Sequence, residues 1–226
     1  MKALLLTDNL QDESILAHAL RMAGLAVQSE QRLEPALAQW SEQPADFLLV
    51  ALRTADPAAL VREIRRVAFE PLVIITDGID EDTHIVLVNA GADWVIERPY
   101  NVRKLIVYTQ AILRRASGAA RAGQPALQHE GVKLDPATRT VRVDGKSPHR
   151  LSQLEFRLLH TLMVHRGQVL PTETIVEHVW GYTGEGDRAL VRGLINRLRA
   201  KVESEPHNPR YIRTVSKVGY IFGGDE

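Results

Sequence analysis

The sequence predicts an α/β fold for its first half, a five-stranded parallel sheet wound on both faces by helices, followed by a smaller unit of three helices closed by a β-hairpin. Three observations carry this. Short apolar runs alternate five times with helix-spaced segments up to residue 115. Residues 116–128, "ASGAARAGQPALQ", interrupt every period. The stretch "RYIRTVSKVGYIF" alternates about a turn at Lys217 to Gly219.

The elements follow in order. "KALLLT" is a compact first strand, and Ile15, Leu16, Ala19, Leu20 and Ala23 recur at helical spacing until Gly24. "LAVQSE" is a short second strand and Leu33 to Trp40 a short helix. "FLLVAL" is the third strand, after which Pro57 suits the first turn of a helix lined by Leu60, Ile64 and Val67. "LVIIT" follows Pro71, and residues 81–90 form a helix closed by Gly91. "WVI" is the fifth strand, and Arg103 to Arg115 is a helix buried through Leu105, Ile106, Thr109, Ile112 and Leu113. Such repeated strand–helix units with short connections build a parallel sheet covered on both faces. The expected organisation is a first domain at 1–117, a linker at 118–128 and a second domain at 129–226.

Beyond the linker, "VKLDP" and "RTVRVDGK" are strands with turns at Pro136 and at Asp144-Gly145, a small antiparallel sheet. In "LSQLEFRLLHTLMVHRG", Ser152 and Glu155 form a capping box, and Leu154, Leu158, Leu159, Leu162 and Met163 face inward. Thr172 caps a second helix carrying Ile175, Val176 and Val179, and Trp180-Gly181 ends it. A third helix from near Asp187 buries Leu190, Val191, Leu194, Ile195, Leu198 and Val202. Three helices and a hairpin make a winged helix-turn-helix layout.

Composition narrows the function. The chain has 226 residues, 45% of them apolar, enough for real cores. It lacks an eighteen-residue apolar run, so no membrane span is expected. "MKALLLTDNLQDE" reads as a first strand rather than a secretory leader, and a cytoplasmic location is expected. Without Cys, disulfides, thiol catalysis and thiolate zinc sites are excluded. Eight His are scattered without HExxH or similar spacing, so neither a metal nor any other cofactor is expected.

Net charge is zero, but residues 188–217 hold eight Lys and Arg against two acids, a polyanion-binding balance. On the third helix Arg188, Arg192, Asn196, Arg199 and Lys201 lie mostly opposite the apolar face, with Arg188, Arg192 and Arg199 in line. In a major groove, Arg takes guanine O6 and N7 and Asn pairs with adenine. Cations near the carboxyl end hold phosphates. The hairpin adds Arg210, Arg213 and Lys217. Tyr211 and Tyr220 suit core packing better than base stacking, because they fall within an alternating strand pattern. Gly219 permits the bend.

"LSQLEFRLLHTLMVHRGQVLPTETIVEHVWG", "INRLRAKVE" and "NPRYIRTVSKVGYIF" closely resemble the effector domain of the OmpR/PhoB family of bacterial response regulators, and the first 115 residues look like that family's flavodoxin-like receiver. The resemblance implies binding to double-stranded DNA as a pair, with the third helix in the major groove and the hairpin as wing. It implies RNA polymerase contact through the loop Gly181, Tyr182, Thr183, Gly184, Glu185, Gly186 and Asp187. Two departures leave the operator open. Arg192 and Leu194 stand where the family often has an acid and a His, and Ser216 stands beside Lys217 where a wing Arg is common.

The receiver departs further. A typical receiver holds Mg²⁺ with two acids after strand one and an Asp after strand three, and that Asp takes the phosphoryl group. Here the matching residues are Thr7, Asp8 and Ala51. Phosphotransfer from a sensor kinase to position 51 is therefore excluded. Thr76 matches the family's hydroxyl residue, and Arg98 replaces its Lys ahead of the matching Pro99. Arg98 either pairs with Asp8, filling the pocket, or keeps an anion site with Thr76. Val95 occupies the aromatic switch position. On the family's pairing face, Asp93 is followed by Trp94, with Lys104 and Tyr108 on the last helix, which predicts a constitutive homodimer through aromatic contact.

The leading expectation is a sequence-specific DNA-binding transcription regulator acting without aspartyl phosphorylation, as a homodimer. The alternative is a non-enzymatic protein-interaction or ligand-sensing adaptor with weak DNA binding. Catalysis is not expected: Asp8 with Asp12 or Asp46 would suggest paired-carboxylate chemistry, but Asp46 begins its strand and belongs at the opposite sheet end.

Overall fold

A computed structural model describes residues 1–78, 80–119, 125–182 and 188–223, with only the backbone for 115–119. It divides into two compact units, Met1–Leu113 and Arg114–Glu226.

The first unit runs β1 (Lys2–Leu6), α1 (Leu10–Met22), β2 (Ala26–Glu30), α2 (Leu33–Ala38), β3 (Phe47–Val50), α3 (Pro57–Arg65), β4 (Leu72–Thr76), α4 (Glu81–Ala90), β5 (Trp94–Glu97) and α5 (Val102–Ala119). Its strands are parallel in the order β2-β1-β3-β4-β5. The order reverses between β1 and β3, which opens a crevice at their carboxyl ends. Leu4 to Leu6, Phe47 to Val50 and Leu72 to Ile75 are buried, as central parallel strands must be when helices cover both faces. Three helices start on side-chain caps: Asn9 accepts from the Gln11 and Asp12 amides, Asp56 from Ala59 and Asp80 from Thr83.

Two helix faces differ from expectation. On α1 the expected Leu16, Ala19 and Leu20 are buried together with Ala17, whereas Ile15 is exposed. On α3 the inward face is Ala58, Val61 and Ile64, whereas Val67 is exposed. Ala17 and Ala58, weak as sequence signals, join the inward faces, and Val67 lies past the end of α3 at Arg65, where the helical period no longer applies.

The sheet end away from the crevice is fastened by Arg65. Its Nη2 lies 2.5 Å from Asp93 Oδ2, its Nε donates to the Gly91 carbonyl at 2.9 Å, and its Nη1 donates to the Glu70 carbonyl at 2.7 Å. Asp93 also accepts from the Leu72 amide and is 1% exposed. Removal of either ionic partner would leave the other charge buried, which makes the pair structurally costly to break.

The second unit contains β6 (Leu127–His129), β7 (Val132–Asp135), β8 (Thr140–Val143), β9 (His149–Arg150), α6 (Gln153–Val164), β10 (Leu170–Pro171), α7 (Thr172–Val179), α8 (Arg188–Val202), β11 (Ile212–Val215) and β12 (Gly219–Phe222). β6 to β9 form an antiparallel sheet in sequence order, and β10, β12 and β11 form a second sheet. β6, β9 and β10 are two or three residues long, too short for a period of two to announce them. The apolar faces expected on α6, α7 and α8 are all buried. Thr172 does not cap α7: Pro171 occupies the N-cap without a side-chain bond, and Thr172 is the first helical residue.

Gly219 serves a purpose other than the one expected. The bend is made by Lys217 at φ 62°, while Gly219 already pairs with Val215 as a strand residue. A Cβ on Gly219 would overlap the Leu170 carbonyl oxygen, so glycine there lets β10 approach β12.

A buried ionic knot joins α6 to α8. Ser152 and Glu155 form the expected capping box, and Glu155 Oε2 also receives Lys201 Nζ at 2.5 Å. Lys201 Nζ donates to the Arg150 carbonyl at 3.2 Å as well. Burial alone would raise the Glu155 pKa, but Lys201 and Arg197 overcome it and hold the carboxyl below its ordinary value. A depressed folded pKa contributes stability above the unfolded pKa that disappears as pH falls through the folded one. Lys201→Ala is expected to cost about 2 kcal/mol at neutral pH. Urea unfolding at neutral and strongly acid pH checks this: the gap from wild type narrows in acid, whereas an equal gap at both would show lost packing alone.

Candidate nucleic-acid interface and the carboxyl-end pocket

On α8, Arg188, Arg192, Asn196 and Ala200 are exposed at four-residue intervals, with the apolar residues turned inward. Arg199 shares this side by angle, but the hairpin crosses the helix's carboxyl end and takes its guanidinium. Arg199 Nε and Nη2 donate to the Ile212 carbonyl at 2.9 and 2.7 Å, and Nη2 donates to Thr214 Oγ1 at 2.9 Å. Burial lowers its pKa from the ordinary value, with Tyr220 and Glu203 opposing the shift. The expected line of Arg188, Arg192 and Arg199 is therefore replaced by Arg188, Arg192 and Asn196. Lys201, about two and a half turns beyond Arg192, lies on the opposite face and holds Glu155.

The wing supplies exposed Thr214, Ser216 and Lys217 and a partly exposed Arg213, whose Nη2 donates to the Gly223 carbonyl at 3.2 Å. Burial raises the Tyr220 pKa while Arg199 and then Arg192 lower it, so Arg192 sits within electrostatic reach of β12. Helix and hairpin thus share one cationic surface. Tyr211 is buried and stacks on Phe222 with centroids 6.4 Å apart, which leaves it no face for a base. Glu203 fixes the hairpin's entry by accepting from the Arg210, Tyr211 and Ile212 amides. Thr214 is not among the expected contact residues, since an exposed strand hydroxyl has no sequence signature. Of the expected polymerase loop, Gly181 closes α7 through bonds to the Val176 and Glu177 carbonyls, and residues 183–187 lie outside the described residues.

The crevice of the first unit is closed by Arg98. Its Nε and Nη2 donate to Asp12 Oδ2 at 3.1 and 2.7 Å, Nη2 also to the Ala51 carbonyl at 3.2 Å, and Nη1 to Asp77 Oδ1 at 3.4 Å. Tyr100 Oη donates to the other Asp12 oxygen at 2.8 Å. Burial and the adjacent Asp12 push the Tyr100 pKa up to about 12, so the phenol keeps its proton. Arg98's partner is thus Asp12, not Asp8. Asp8 is exposed and accepts from the Arg53 amide at 3.2 Å. Asp12 stands on the first turn of α1, just past the carboxyl end of β1, within hydrogen-bond reach of Arg98. Ala51 is fully buried, Thr7 is 1% exposed with Oγ1 accepting from the Asn9 amide, and Thr76 Oγ1 is buried with no hydrogen-bond partner among the described residues. Asp8, Asp12 and Asp77 outnumber Arg53 and Arg98 here, an environment that opposes anion binding. Asp12 and Asp77 escape a sequence reading as partners of Arg98, because only the fold brings α1 and the loop after β4 to it.

The residues expected to form a pairing face are placed differently. Asp93 is interior, held by Arg65. Trp94 packs on Tyr108 of the same chain, with centroids 4.8 Å apart at 44°, and Lys104 Nζ lies 5.3 Å from the centre of the Tyr108 ring. This aromatic contact joins β5 to α5 within the chain. Val86 on α4 and Val107 on α5 are the large apolar side chains those two helices leave exposed among the described residues.

A family model described as "Transcriptional regulatory protein, C terminal" matches residues 146–222. The sensory transduction protein RegX3 of Mycolicibacterium smegmatis is 31% identical over 213 residues, covering 92% of this chain and 93% of its own. Among solved structures, a point mutant of RitR has a TM-score of 0.79 at 23% identity, covering 99% of both chains. The response regulator DrrB, a Thermotoga maritima OmpR/PhoB homologue, has a TM-score of 0.50 at 23% identity over 99% of both chains, a likeness of fold. A full-length relative at this identity, joined to a winged helix that matches the regulatory model, shows that the chain belongs to the OmpR/PhoB-type response regulators, a family of DNA-binding transcriptional regulators.

Proposed function

We propose that the chain regulates transcription by binding specific duplex sites as a homodimer, and that its receiver-like domain, residues 1–117, acts without aspartyl phosphorylation. A linker at 118–128 leads to the DNA-binding domain at 129–226, and RNA polymerase is the partner assigned to residues 181–187. The observation that carries the reading is Arg98 lying over Ala51, its Nη2 bonded to the Ala51 carbonyl. A methyl group has no lone pair with which to attack phosphorus. The guanidinium supplies the positive charge that a metal would bring, and it is neutralised inside the chain by Asp12. The Thr76 hydroxyl, buried without a hydrogen-bond partner among the described residues, supports a pocket that no longer works on a phosphoryl group.

DNA contact rests on the exposed row of α8 and the wing. Arg188, Arg192 and Asn196 present base-reading chemistry, whereas Arg213, Ser216 and Lys217 suit backbone contact. Arg199 and Lys201 serve this surface indirectly, by holding the hairpin and α6 against α8. For the homodimer, the support is the exposed Val86 and Val107 beside Lys104.

Four outcomes test these points. Arg192→Ala is expected to cost about 1–3 kcal/mol on the preferred operator and to relax preference at one base pair. Lys217→Ala should weaken all sequences alike and lower the slope of log affinity against log salt by about one. Competition binding with operator variants separates the two, and equal losses for Arg192→Ala on every sequence would make it a backbone clamp. Incubation with an acyl phosphate and Mg²⁺ is expected to leave both the protein mass and the operator affinity unchanged. A phosphorylated product with tighter binding would overturn phosphorylation independence. In sedimentation, the untreated full chain should form dimers at micromolar concentration; a monomer at every concentration removes the dimer alone.

A further inference from the structure

Two histidines of the helix-turn-helix meet although twelve residues lie between them in sequence. His165 is the C-cap of α6 and His178 lies in the last turn of α7. Their rings are 5.8 Å apart between centroids, with planes at 80°. His165 Nδ1 lies 2.9 Å from the Thr161 carbonyl oxygen, and His178 Nδ1 lies 2.8 Å from that of Thr174. A carbonyl oxygen can only accept, so each Nδ1 carries the proton and each neutral ring presents an unprotonated Nε2. No described residue bonds to either Nε2, and both side chains are partly open to solvent.

We propose that His165 and His178 form a two-imidazole site for a divalent transition-metal ion, Zn²⁺, Ni²⁺ or Cu²⁺. The helix carbonyls do what outer-shell acceptors do for metal-bound histidine: they set the tautomer and hold the ring's orientation. An ion about 2.0–2.1 Å from each Nε2 in tetrahedral geometry places imidazole centroids about 5 Å apart, near the observed 5.8 Å, with the two rings turning to aim both Nε2 atoms at the ion. Imidazole nitrogen selects these ions over Mg²⁺ and Ca²⁺, which want oxygen. No group of three or more His, Asp or Glu gathers among the described residues, so water completes the coordination. A bound ion ties the end of α6 to the end of α7, the two helices that support α8. The site draws on no residue of the receiver-like domain and stands whether or not that domain is phosphorylated.

The test is calorimetric titration of the untagged full chain with Ni²⁺ and with Zn²⁺, alongside H165Q, H178Q and the surface control H149Q. Melting without metal confirms that each variant folds. The expected result is one ion per chain at micromolar affinity, weakened at least about tenfold in H165Q and in H178Q but unchanged in H149Q. The ion should raise the melting temperature by several degrees in wild type and H149Q only. Absence of binding below millimolar metal overturns the proposal and leaves an edge-to-face ring contact. Binding that survives in either H165Q or H178Q overturns it too, because the ion would then sit elsewhere.

Discussion

The first unit is organised around one guanidinium. Arg98 reaches from the end of β5 to the carboxyl end of β3 and to the first turn of α1, and its bonds to Asp12 and the Ala51 carbonyl close the crevice of the sheet. A parallel sheet whose strand order reverses must open a gap at this point, and polar groups converge there. In this chain the gap is filled from within. Arg suits the task better than Lys because its planar fork bonds a carboxylate and a carbonyl together in fixed directions. Tyr100 completes the arrangement by satisfying the second Asp12 oxygen.

In the second unit, cations divide into those spent on architecture and those left on the surface. Lys201 holds the buried Glu155, and Arg199 gathers the hairpin by the Ile212 carbonyl and Thr214. Arg188, Arg192 and Lys217 remain exposed. The division follows from geometry: Lys201 faces α6 and Arg199 lies under the hairpin, where carboxylate and carbonyl oxygens are within reach, whereas Arg188, Arg192 and Lys217 are exposed. A charge count over 188–217 sees all of them as equivalent, which overstates the surface available to a polyanion.

Much of the architecture is legible because burial follows periodicity. The cores of α6 and α8 can be read residue by residue, and the Ser152–Glu155 capping box is a local pattern with a local cause. Expectation fails where the deciding contact is remote. Ile15 and Val67 look like core residues by spacing, yet both are exposed, Val67 because α3 has already ended at Arg65. Gly219 resembles a turn glycine, although its need arises from a strand nearly fifty residues earlier. Asp93 and Trp94 resemble surface residues of a pairing face, but Arg65 and Tyr108 cover them from distant positions.

The amino-acid order alone sets the residue types at the chemistry-bearing positions: a methyl group at Ala51, a guanidinium at Arg98, and Arg188, Arg192 and Asn196 along one helix row. It also sets the succession of elements, because strand and helix periods are properties of neighbouring residues. Which carboxylate Arg98 meets, which cations of α8 stay exposed, and the meeting of His165 with His178 are settled only once the chain has folded. These pairings depend on distances between elements far apart in the chain, set by packing, which local sequence does not encode.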